Sequence, residues 1–169
     1  LYCLTPTPIK NKNNFDKKII DREKQQKQFY SEAFVKNDFN WWKIEFAALE
    51  KKISNSKAED EKYMNIRLKN FLSLAAYSYS NSAINNRQLN EADKFLSIYK
   101  LVDSKNSEHA YLRTKYFMLI NKPEDAAQAL AEAAKMGFND KERLANEQLF
   151  IPINNSEGYK KIMQQWWKH

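Results

Sequence analysis

Chemistry needs a cast of nucleophiles, bases or metal ligands, and in this chain of 169 residues the cast is small. His109 and His169 are the only histidines and Cys3 the only cysteine. No His-Glu-x-x-His, glycine-rich phosphate loop, Gly-x-Ser-x-Gly elbow or Cys-x-x-Cys spacing occurs. The nucleophile, base and orienting groups of acyl or phosphoryl transfer are therefore not laid out at any recognisable spacing. A single cysteine excludes an internal disulfide and any multi-cysteine zinc or iron-sulfur site. Two acidic groupings remain, Glu45 with Glu50 and Glu59-Asp60-Glu61. The first falls on a polar helix face and the second at a helix start, where carboxylates complement the positive end of the dipole, so solvation explains them better than paired acid-base work. His109, near the start of a helix, reads as a surface or half-buried polar residue. The expectation is a chain that is not an enzyme and takes no metal and no cofactor.

Aromatic side chains are the other chemistry-bearing feature. Trp41-Trp42 and Trp166-Trp167 are adjacent pairs, and neighbours on a helix point about 100° apart, so one member of each can enter a core while the other stays partly exposed. Trp41 has two readings, packing against a neighbouring helix or the N-terminal arm, and an exposed interface anchor. For Trp166-Trp167, packing onto a C-terminal cap, self-association and end disorder all stand open.

The elements that position these residues follow from composition and period. Apolar residues make up 43% of the chain, aromatics 14% and charged residues 29%, with only 2 glycines and 4 prolines. A real core can form, and too few turn positions exist for a many-stranded sandwich or barrel. Residues 1–15, with Thr5-Pro6-Thr7-Pro8 and the Asn-rich run 11–14, read as a flexible arm. Apolar residues then recur near every 3.6 positions, predicting helices at about 16–36, 39–53, 58–85, 89–102, 107–120 and 123–136. The helix over 58–85 is apolar almost all round in its middle, which predicts neighbours on several sides. The last of the six has Pro123 in its first turn, Glu124 and Asp125 near its positive end, and Gly137 as its stop.

Net charge is +7, spread as +3, +3 and +1 over residues 1–60, 61–105 and 106–169. Nucleic-acid binding favours a concentrated basic stripe with stacking aromatics, and none is present, so no nucleic-acid partner is expected. The basic window from Lys10 to Lys27 reads as a solvated helix face, or else as a contact for an acidic partner. No 18-residue apolar run exists, so no membrane span is expected. The chain opens on Leu1 rather than Met, which a removed secretory signal would explain. Cys3 reads plainly as a lone thiol, and alternatively as a lipid anchor on an exported protein despite poor flanking residues. An exported or periplasmic location is the favoured expectation and a cytoplasmic one the alternative.

The most specific signal is a repeat. Ala92, Leu96 and Tyr99 recur as Ala126, Leu130 and Ala133, and Ser73, Ala76 and Tyr77 as Ser107, Ala110 and Tyr111, each 34 residues later. In these residues the chain resembles the tetratricopeptide repeat (TPR) family, whose 34-residue unit is a helix, a turn and a second helix. The second helices fit the family's small-large-small pattern, with Tyr99 oversized. In the first helices Ser80 and Thr114 stand where glycine is usual, and Ala83 and Phe117 where tyrosine is usual. The resemblance implies an all-α, TPR-like α-hairpin solenoid of about seven to eight helices. Its parts would be an N-terminal helical hairpin over 16–56, two TPR-like helix pairs over 57–137, and a C-terminal helical cap over 138–169 like those closing bacterial TPR arrays. Leu144, Leu149, Phe150, Ile153, Tyr159 and Ile162 would plug the last apolar face.

The resemblance also implies a concave groove lined by first-helix positions. Tyr77, Asn81, Ile84 and Asn85 fall there from one unit, and Glu108, Tyr111, Lys115 and Met118 from the next. A chaperone-type carboxylate clamp does not fit, because Tyr77 stands where its lysine belongs. The tyrosines offer rigid amphipathic contact area instead, with core burial as their other reading. The function expected is a non-catalytic interaction module that binds a protein or peptide segment in this groove. The alternative is a structural, self-associating subunit of a larger bacterial envelope complex.

Overall fold

In the computed structural model the chain is all-helical. The structure describes residues 10–154 and 156–167, with side chains from 17 onward except those at 162, 163 and 165–167. Among these residues there are eight α-helices, α1 (Lys10–Lys36), α2 (Phe39–Asn55), α3 (Glu59–Asn85), α4 (Leu89–Val102), α5 (Glu108–Leu119), α6 (Pro123–Lys135), α7 (Lys141–Ala145) and α8 (Glu157–Trp167), and a 3-10 helix over Gln148–Ile153, with no strand. The expected arm lies outside the described residues as far as residue 9, and Cys3 with it. Residues 10–15 are helical instead, because α1, once nucleated, adds a hydrogen bond for each residue it takes in and carries through weak helix formers.

Each helix start and stop has a local cause. Asp38 caps α2, its carboxylate accepting from the Trp41 amide at 2.8 Å, which satisfies one of the orphan N–H groups of the first turn. The α3–α4 and α5–α6 turns share one backbone solution, a left-handed residue at Arg87 (φ 55°) and Asn121 (φ 56°), 34 positions apart. In both, the next amide bonds back to a carbonyl of the last helical turn, Gln88 N to Ala83 O and Lys122 N to Phe117 O, each at 2.9 Å. α6 ends the same way, with Gly137 at φ 95° and Phe138 N to Ala133 O at 3.0 Å. Glycine holds that conformation at little steric cost, whereas Arg87 and Asn121 must be held in it by the pairing of the flanking helices.

α3 pairs with α4 and α5 with α6, α5 packs on both α3 and α4, and α1 and α2 pack on α3. Two small residues, Ala92 and Ala126, lie fully buried at equivalent places on α4 and α6 and let helix backbones approach closely. Around Ala92 and Ala126 stand buried Leu96, Tyr99 and Leu130. An aromatic cluster joins the N-terminal pair to this core: Phe34 lies 4.5 Å from Trp42 and 4.8 Å from Tyr79 between ring centroids. Lys94 on α4 donates to the Phe34 carbonyl at 2.8 Å, placing a cation on the negative end of α1. Burial depresses the Lys94 ammonium pKa. On the α1–α3 seam, Arg67 hydrogen-bonds Glu23 at 2.7 Å and, with Lys27, holds its carboxyl below the usual range against the opposing effect of burial.

α7, the 3-10 helix and α8 close the far end. Leu144, Phe150, Ile153 and Tyr159 are buried there as expected. Leu149 is half-buried, and the Ile162, Trp166 and Trp167 side chains and all of His169 lie outside the described residues.

Candidate functional site

α3 has one face in the core and one face open. Met64, Leu68, Leu72, Ala76, Ser80 and Ala83 recur at helical spacing on the buried side. On the other side Tyr63, Asn70, Leu74 and Asn81 fall within a narrow stripe, since offsets of seven and eleven residues return nearly to the same angle. Leu74 is 68% exposed and Tyr63 53%. The all-round covering expected for the middle of this helix is thus corrected: α1, α2, α4 and α5 leave one side of α3 without a neighbour.

The groove residues are split by the fold. Asn85 is exposed, Asn81 and Tyr77 are half-buried beside the Leu74 stripe, and Tyr77 meets Tyr99 edge-on at 6.2 Å. Ile84 and Tyr111 are buried, so neither lines an open surface. Tyr111 is covered by the C-terminal cap: Phe138 stacks on its ring at 4.4 Å, Phe150 meets it edge-on at 5.8 Å, and the Arg143 guanidinium sits 4.2 Å from its centroid. Burial pushes the Tyr111 phenol up to about 12, with Arg143 opposing.

Glu108 and Lys115 are likewise engaged by the cap. Arg143 donates to both Glu108 carboxylate oxygens at 2.9 and 2.8 Å, a fork geometry that gives direction as well as energy. Burial disfavours the Arg143 cation and Glu108 more than restores it. Lys115 pairs with Glu147 at 2.9 Å with both side chains largely covered. Met118 is half-buried against the core. Within the cap, Arg143 and Glu147 are the residues that sequence reasoning passed over. They lie in a segment read only for its apolar plugs, and no spacing rule pairs Arg143 with Glu108 across 35 residues.

The surviving open set is therefore Tyr77, Asn81 and Asn85 on α3, joined by Leu74 and Tyr63. Trp41 is half-buried, edge-on to Trp42 at 5.2 Å and 5.9 Å from the exposed Phe29, so its anchor reading and its packing reading each hold in part. His109 is buried rather than at the surface, its ring nitrogen 3.3 Å from the Ser104 carbonyl oxygen and its ring edge-on to Tyr99. Burial lowers its pKa. Among the described residues no group of three or more His, Cys, Asp or Glu side chains could hold a metal ion. No described helix is long and apolar enough to cross a membrane. Comparison with protein-family models, curated proteins and solved structures gave no match to this chain.

Proposed function

We propose that this protein is a non-catalytic, TPR-like interaction module that binds a protein or peptide segment along the open face of α3. The observation that carries the reading is Leu74, a large apolar side chain 68% exposed between Tyr77 and Asn70 on a helix whose opposite face is core. Scattered exposed leucines are ordinary on a surface. Leu74 is less so because Tyr63 continues its stripe at the same angle and half-buried Tyr77 flanks it, giving the anchor-and-rim composition of a binding surface. The identical turns at Arg87 and Asn121, 34 residues apart, support the repeat on which this reading leans. The Tyr111 half of the expected groove is left out of the site, being occupied by the cap.

The test is capture of partners from native extract by the full chain and by the double variant Leu74→Ala with Tyr77→Ala. The expected result is loss of capture with far-UV helicity unchanged; capture equal to that of the parent chain refutes the surface. A second reading, a self-associating structural subunit in an exported or envelope setting, is favoured by one observation. Phe29 and Ile44 are exposed at 47% and 74% around Trp41. Light scattering separates the two, a concentration-independent monomer removing the second.

A further inference from the structure

Away from the α3 open face, α1, α2 and α3 enclose a cleft of about 460 Å³. α1 and α2 touch near their turn, where Tyr30 donates to Glu45 at 3.1 Å and packs on Trp42. The cleft opens at the other end of the pair, between residues 22–26 of α1, 49–57 of α2 and its exit, and 61–68 of α3. Its volume lies in the range of ligand sites, about 300 to 1,000 Å³. Asn65 is nine residues from Leu74, two and a half turns of helix, so the cleft and the open face lie on opposite sides of α3.

Asn65 is the observation that points to a ligand. Its residue is only 6% exposed, it lines the cleft, and its amide makes no hydrogen bond to any described residue. A buried polar group is ordinarily paired, and one left unpaired costs about 1 to 3 kcal/mol. An amide offers one acceptor and two donors, the complement of a peptide group. Gln25 and Gln26 supply further amides on the α1 wall, and Leu49 and Leu68 give an apolar floor.

Charge narrows the class. Lys52 and Lys57 line the cleft, both exposed and neither in an ion pair with a described residue. Arg22, by contrast, is tied to Glu61 at 3.2 Å, so its fork is not open to a phosphate. Two compact ammonium charges at the rim and amides within suit a carboxylate-bearing ligand whose body is a peptide chain.

From these observations we propose that the α1–α2–α3 cleft is a binding site for a short acidic peptide segment, with Asn65 pairing to its backbone and Lys52 and Lys57 to its carboxylates. The site does not depend on the open-face reading and stands if that surface proves inert.

The test titrates acetyl-Ala-Glu-Asp-Ala-amide into the ¹⁵N-labelled full chain, following the Asn65 side-chain amide and the backbone amides of Lys57 and Leu68. Saturable shifts are expected at millimolar probe, the affinity scale of a few good contacts. They should weaken with added salt and fall about tenfold in affinity for Asn65→Leu. Because an unpaired amide is costly and leucine is close in volume, Asn65→Leu should not lower the melting temperature. Lys52→Ala with Lys57→Ala, both at the surface, gives the same loss of binding should Asn65→Leu fail to fold. The proposal is overturned by absence of saturable shifts, by equal shifts from acetyl-Ala-Gln-Asn-Ala-amide, by equal shifts from free glutamate, or by Asn65→Leu binding like the parent chain.

Discussion

Ser80 and Thr114 occupy equivalent positions 34 residues apart, both fully buried, yet their hydroxyls are treated differently. Thr114 Oγ1 donates to the Ala110 carbonyl at 3.0 Å, the usual backbone bond for a hydroxyl inside a helix. Ser80 Oγ has no hydrogen-bond partner among the described residues. Replacing Ser80 by Ala removes an orphan polar atom whose burial costs about 1 to 3 kcal/mol. It also gains a few tenths of a kcal/mol in helix propensity. Against this stands the small void left by one oxygen atom. The net gain is about 1 to 2 kcal/mol, which for a chain of this size raises the melting temperature by roughly 2 to 8 °C. Thr114→Ala breaks a made bond and deletes a buried methyl, and should cost about 1 to 2 kcal/mol. Thermal unfolding followed by circular dichroism reads both. Opposite signs at two equivalent positions are the expected result; a fall in melting temperature for Ser80→Ala would show that its hydroxyl is satisfied and refute the reasoning.

Two further outcomes follow from packing and charge. Ala126 is fully buried where α6 approaches its neighbours, so Ala126→Leu should overpack and lose roughly 1 to 3 kcal/mol, and an unchanged melting curve would mean the helices do not meet there. His109 is buried with its pKa lowered below the ordinary value near 6.5, so the unfolded chain takes up a proton at a pH where the folded one does not. Stability is then full above that ordinary value and falls as pH drops below it, toward the folded-state pKa. Melting temperatures between pH 7 and 5 should decline for the parent chain and decline less for His109→Gln; equal slopes would place the pH dependence elsewhere.

The amino-acid sequence by itself determined the helices, because apolar spacing near 3.6, scarce glycine and well-placed breakers are local properties. The bounds of α4 agree with expectation to the residue, and those of α3, α5 and α6 lie within one residue of it. It determined too that Ala92 and Ala126 are buried, since a repeat offset marks positions that meet the same neighbour twice. What only the tertiary structure decided is which face of a helix stays open. Leu74 sits among Leu72, Ala75 and Ala76 in a run apolar on every side, and nothing local says that no helix lies over it. Tyr77 and Tyr111 are equivalent in the repeat, but one is half-buried and the other fully covered, because Phe138 and Arg143 return to α5 from beyond α6. Asn65 carries the same lesson, an ordinary polar residue in the chain that becomes an unpaired amide in a cleft only when α1 and α2 part around it. Long-range closure sets burial, and burial decides which of two chemically identical side chains can meet a partner.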